Sequence, residues 1–217
     1  MRRAPIIGGL ALLSFGLPAC TDDEAPDTEG ETDVDTDIDV DTDADTDGVE
    51  IAYDDGTAEE YLAPETPSPH PQVAVLFTAV AYPADLVGAR FWIGTDGEPG
   101  TEFDVQVYAA DGNEGKPGTA LLAKPITTRC LFGGGNHWAE ADLSSAGLTV
   151  TEDFFVAMDW TTPPGDEAED AQFLGADWGE PDQRTYWKWS ESTKWMRIES
   201  VYPAMDRDAM IRATVRY

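Results

Sequence analysis

Residues 90–122 read RFWIGTDGEPGTEFDVQVYAADGNEGKPGTALL. Phe103, Val105 and Val107 alternate with Asp104 and Gln106, the period-two pattern of a strand with one buried face. Asp96-Gly97, Asp111-Gly112 and Pro117-Gly118 punctuate the stretch with residues suited to tight turns. The same grammar extends in both directions. Val73, Val75 and Phe77 form one apolar row, and Val87, Ala89, Phe91 and Ile93 another. Further on, Phe154, Val156, Met158 and Trp160 alternate with Phe155, Ala157 and Asp159. Ile211, Ala213, Val215 and Tyr217 alternate with Arg212, Thr214 and Arg216, which pairs the last strand into a sheet. Gly133-Gly134-Gly135 and Pro163-Pro164-Gly165 supply more turns, and no window beyond residue 50 carries a helical apolar period. The pattern predicts an all-β domain over residues 51–217, a two-sheet β-sandwich of jelly-roll-like type with about ten strands.

The 217 residues carry 43 Asp and Glu against 13 Lys and Arg, a net charge of −30. Phosphate binding needs clustered cations, so a nucleic-acid partner is excluded as an expectation. Fifteen of the acids and none of the bases fall in residues 21–50, so half of the excess belongs to that segment and the rest of the chain is still acidic. Two Cys cannot staple a scaffold or build a Cys-rich zinc module, whereas 22 aromatics can fill a core.

Arg2-Arg3 followed by a mostly apolar run from Ala4 to Leu17 reads as a secretory signal, too short to span a bilayer as a helix. The run ends Leu17-Pro18-Ala19-Cys20, which resembles the lipobox of bacterial lipoproteins. Residues 1–19 are then a signal peptide. The resemblance implies that Cys20 carries the lipid and anchors the chain to a membrane. Thr21 after Cys20, where retention would want Asp, resembles the pattern of outer-membrane lipoproteins. Acyl chains contribute about 0.8 kcal/mol per buried CH₂, and two or more of them anchor stably.

Residues 20–50 form the lipidated Cys and an acidic spacer, with TDVDTDIDVDTDADTDG at 32–48. As a strand this segment would stack Asp side chains at like charge on one face, so it is expected to be disordered and extended by self-repulsion. A second reading stays open. Asp43, Asp45, Asp47 and Asp54 nearly match the ligand spacing of a calcium loop, though Asp54 stands where a bidentate Glu belongs. Asp111, Asn113 and Glu114 offer another calcium possibility, against the plainer reading of DGNEG as a hairpin turn.

Catalytic signals are weak. His70 lies in PSPHP, an extended loop, and His137 stands beside Trp138 at a strand start. No Gly-x-Ser-x-Gly elbow accompanies them. Cys130 is expected to be buried in a strand over 127–132. The densest feature is aromatic: Trp178, Tyr186, Trp187, Trp189 and Trp195 fall within eighteen residues. If 189–195 is a hairpin in which Trp189 opposes Trp195, Trp187 opposes Arg197 on the same face. Tyr186, Met196 and Ile198 would then form the core face. Trp187, Trp189, Trp195 and Arg197 would make an outward platform for sugar rings or peptide. A one-residue shift would bury the tryptophans instead.

YDDGTAEEY at 53–61, the stretch at 90–122, WAEADLSSAGLTVTEDFFVAMDW at 138–160 and DAMIRATV at 208–215 together resemble the accessory β-sandwich domains of secreted bacterial peptidases and other multidomain extracellular proteins. The resemblance implies a non-catalytic module and no catalytic residues. The expected function is therefore a lipid-anchored envelope domain, placed at the outer membrane. It would bind polysaccharide or a protein partner and use no cofactor apart from the possible calcium. A structural or protein-interaction role without a small ligand is the alternative, and a hydrolase a more distant one.

Overall fold

The computed structural model describes residues 48–64, 69–95, 102–129, 135–161, 173–178, 183–190, 193–201 and 207–217. Cys20, Asp43, Asp45, Asp47 and Cys130 lie outside the described residues, as do the signal segment and most of the acidic repeat. The chain divides into Met1–Thr42 and Asp43–Tyr217, and the second unit is the β domain.

Its strands in chain order are β1 Val49–Ile51, β2 Glu60–Leu62, β3 Gln72–Phe77, β4 Ala84–Thr95, β5 Glu102–Ala109, β6 Ile126–Arg129, β7 Gly135–Asp142 and β8 Leu148–Val150. They continue as β9 Phe154–Asp159, β10 Phe173–Asp177, β11 Thr185–Lys188, β12 Met196–Arg197, β13 Asp208–Ala209 and β14 Ile211–Arg216. All pairings are antiparallel and they form two sheets, as the alternation predicts. One sheet runs β12-β11-β3-β9-β5-β6. The other is organised by β4, which pairs with β14 and β10 and also with β7 and β8. Strands beyond the expected ten are two- and three-residue edge pieces such as β1, β12 and β13, too short to print a period. The first belongs to the domain although residue 50 reads as spacer, because Glu50 there bonds Arg90 and Arg212. A short α-helix, Ile198–Val201, follows β12. Among the described residues no helix is long and apolar enough to cross a membrane.

The inner faces meet in one core that includes Val73, Phe77, Phe91, Phe103, Val105, Phe154, Met158 and Ala213. Phe91 of β4 meets Phe103 of β5 edge to face, ring centroids 5.1 Å apart, so the two sheets are locked by aromatic contact. Each such side chain contributes about 1.5–3 kcal/mol on burial. The β3–β9–β5 sheet is also covered on its outer face, where Ala74, Phe155, Ala157, Tyr186 and Trp195 form a second cluster. That second cover explains why β9 is apolar at successive positions and not merely at alternate ones.

Candidate functional site

The hairpin β11–β12 has a register one residue away from the symmetric one. Tyr186 opposes Arg197 and Trp187 opposes Met196, so the outward platform of Trp187, Trp189, Trp195 and Arg197 is not formed. Register here is set by β3, which the hairpin sequence alone does not contain. Trp187 pairs with Val73, Val73 with Met158, and Met158 with Val105, placing Trp187 in a wholly apolar row. It is 2% exposed, lies 5.7 Å from Trp160 and 5.4 Å from Trp189, and fills the inner core. A shift of one residue exchanges the faces of a strand. Tyr186, expected inside, therefore stands on the outer face with Arg197, whose Nε donates to its hydroxyl at 3.2 Å. Met196 moves from the expected place opposite Lys188 to one opposite Trp187, and Ile198 is buried at the start of the short helix.

Trp195 takes a different route. It is 9% exposed and folds over the outer face of the sheet, above the cross-strand pair Ala74 and Ala157. The small side chains of that pair leave room for an indole. Tyr108 meets it edge to face at 5.7 Å, and the Lys188 ammonium stands 5.5 Å from its ring centre. The exposed end of Trp195 forms one wall of a cleft of about 480 Å³, lined also by Asn113, Lys116, Pro117, Lys194 and Met196. That size falls within the roughly 300–1,000 Å³ of small-ligand sites.

The opposite wall is the loop after β5, and its chemistry makes it stiff. Ala109 N–H donates to Thr119 O at 2.9 Å and Gly118 N–H to Ala109 O at 3.0 Å, closing the loop at its base. Both Asp111 oxygens accept from Thr119, from its amide at 2.7 Å and its hydroxyl at 2.6 Å. These bonds hold the Asp111 carboxyl below its ordinary range. Gly118 has no space for a Cβ, which would run into Asp111. Glu114, at φ +61°, turns back to pair with Lys116 at 2.9 Å. DGNEG is thus a turn with Asp111 engaged by Thr119, as the plainer reading expected.

Beneath Trp195 a polar chain runs along the sheet. Tyr108 donates to Gln72 Oε1 at 2.9 Å, and Gln72 Nε2 donates to Asp159 Oδ2 at 2.7 Å. His70 Nδ1 stands 3.2 Å from Asp159 Oδ1. Burial pushes the Asp159 carboxyl up, partly offset by Gln72 and His70, and burial likewise raises Tyr108. His70 is not in extended backbone as PSPHP suggests but at φ +54°, a left-handed turn stapled to Asp159. His137 lies on β7 opposite Ile93, some distance into the strand.

Two other clusters of charged residues lie away from the cleft. On the outer face of the β4 sheet, the Asp54 side chain is 1% exposed and bonded to Arg212, so this member of the calcium-like spacing already has a cationic partner. Near β10, oxygens of Asp55, Glu59 and Asp177 lie within 4.8 Å of one another, a hard-oxygen grouping of the kind calcium favours. Asp177 there accepts from the Asp55 amide at 2.8 Å, and Glu59 from the Trp178 amide at 3.1 Å. Sequence reasoning missed Tyr108, Gln72, Lys116 and Asp159 as site-forming groups. The signal that could have found Lys116 is compositional, because the chain has only four lysines.

The fold and its clefts define a class: an antiparallel two-sheet β-sandwich whose recognisable site is a side-chain cleft on a sheet face and loop. Comparison with known proteins bears on the fold. The chain is 34% identical over 176 residues to Bacillopeptidase F of Bacillus subtilis (strain 168), a match over 77% of this chain and 11% of that protein. It is thus homologous to a segment of that peptidase and spans 11% of its length. Among solved structures, the clostridial cysteine protease Cwp84 after propeptide cleavage superposes with a TM-score of 0.54 at 11% identity, over 77% of this chain and 40% of that one. The structure of the cysteine protease and lectin-like domains of Cwp84, a surface layer associated protein of Clostridium difficile, gives 0.50 at 14% identity, over 69% and 32%. These two likenesses show the fold. No family model matches the chain.

Proposed function

We propose that the chain is a lipid-anchored, non-catalytic module of the cell envelope that binds saccharide in the Trp195 cleft. The observation that carries the reading is the cleft itself: a rigid loop wall facing an indole edge, with Asn113, Lys116 and Lys194 as polar groups. An apolar wall with a few placed polar groups is how proteins hold small polar ligands. Similarity to a short segment of a much larger peptidase fits an accessory role better than a catalytic one. A solved structure of similar fold is described as containing lectin-like domains beside a cysteine protease, and this supports saccharide as the ligand class.

The anchor belongs to the same reading. Cys20 would carry diacylglycerol, and residues 21–47 would hold the sandwich away from the membrane, at the outer membrane if Thr21 sorts it there. Metabolic labelling with palmitate, lost in Cys20→Ala, tests the anchor. Binding of the full chain to a panel of envelope and extracellular polysaccharides tests the cleft: retention is expected, and Trp195→Ala should reduce it at least tenfold. Unchanged binding by that variant, with the fold intact by circular dichroism, would move the site elsewhere.

A further inference from the structure

We infer that the cleft is selective for a carboxylate-bearing saccharide, an oligouronate, over neutral sugars; the inference rests on the saccharide reading above. The observation is the placement of positive charge. The whole sequence holds four lysines in a chain of net charge −30. Lys116 and Lys194 line the cleft, one from each wall, and Lys188 stands over the ring of its Trp195. Two of the four lysines thus line one cleft, and a third meets the indole that forms its wall.

A chain this acidic repels anions at long range, but at physiological salt that field fades over about 8–10 Å. Inside the cleft the nearest charges decide. Glu114 is the carboxylate that contacts this cationic group among the described residues, and its pairing with Lys116 at 2.9 Å holds its carboxyl below the ordinary range. An incoming carboxylate can replace that exposed pair at little cost, because solvent screens ion pairs at the surface. Lysine suits this role. Its ammonium is a compact charge on a flexible stem that accepts many carboxylate orientations, whereas Arg wants a planar fork. The ring carbons of the sugar would lie against Trp195 and Met196.

The test is calorimetry on the full chain with trigalacturonate, with the size-matched neutral trigalactoside, and with a tri-aspartate peptide, at 20 and 150 mM salt. The expected result is at least tenfold preference for the uronate, weakening about fivefold at the higher salt. K116Q and K194Q should each weaken uronate binding about fivefold while leaving unfolding midpoints unchanged. Equal binding of the neutral sugar, or of the uronate by the K116Q/K194Q double variant, overturns the charge selectivity and leaves saccharide binding standing. Binding of tri-aspartate as tight as the uronate overturns the saccharide class. Binding of neither sugar overturns both this inference and the reading it rests on.

Discussion

Arg212 closes on Asp54 across 158 residues of sequence, its Nη2 2.6 Å from Oδ1 and its Nε 3.2 Å from both carboxylate oxygens. The pair joins the loop after β1 to β14. Arg212 also bonds Glu50 at 2.9 Å and lies 4.4 Å from the Trp138 ring centre. A guanidinium can satisfy all of these at once because it is planar and forked. The bonds to Asp54 and Glu50 raise its pKa further, so it stays charged throughout.

Asp54→Ala leaves that cation without its most buried partner. Removing one member of a buried ion pair costs about 3–5 kcal/mol, and Glu50 offsets part of this here. We expect urea unfolding of Asp54→Ala to lose about 2–4 kcal/mol. Arg212→Lys, which keeps the charge but not the fork, should lose less. Equal stability of wild type and Asp54→Ala would contradict the pairing.

Burial makes opposite predictions for two tryptophans, Trp187 in the hairpin and Trp178 just after β10. Trp187, at 2% exposure, sits in the core, so Trp187→Ala should cost about 3–5 kcal/mol. Trp178, at 60% exposure, should cost about 0.5 kcal/mol or less when replaced by Ala. Chemical denaturation of both variants reads the difference directly, and comparable losses would restore the outward face for Trp187.

Gly175 on β10 lies under the Trp92 indole. A Cβ there would run into Trp92 Cδ1 and stand 3.0 Å from Met210 Sδ. Gly175→Ala should therefore destabilise by about 1–3 kcal/mol, the usual cost of overpacking. Adding Trp92→Phe should recover part of the loss, a coupling that a double-mutant cycle measures.

Asp159 sets a pH dependence of definite sign. Burial raises its folded carboxyl above the unfolded value of about 3.9, so the native state holds a proton that the unfolded state releases. This group's contribution to stability is therefore greatest below pH about 3.9 and falls as pH rises through the folded value. The stability of wild type minus that of Asp159→Asn should decline over that window and then flatten. A difference that grows with pH would mean that His70 and Gln72 outweigh burial.

The strands were legible because a buried face repeats every second residue, and Phe103-Val105-Val107 and Ile211-Ala213-Val215 need no partner to show it. The accessory-domain resemblance was legible for the same reason, as strand and turn grammar, and a homologous segment of a peptidase agrees with it. The site was not legible. The aromatic segment at 186–195 announces importance without direction, since inner and outer faces differ by one residue of register. Lys116 and Lys194 are 78 positions apart, and nothing local links them.

From its residues alone this protein reads as a two-sheet sandwich, because period-two apolar rows need cover and no helical period beyond residue 50 supplies it. Which tryptophan enters the core and which leans over the sheet depended on β3 lying beside β11. Pairing across a sheet is a long-range choice, made when Val73 meets Trp187 and Ala74 makes room for Trp195. The cleft exists as a consequence of that choice, and so does the gathering of lysines at its edge.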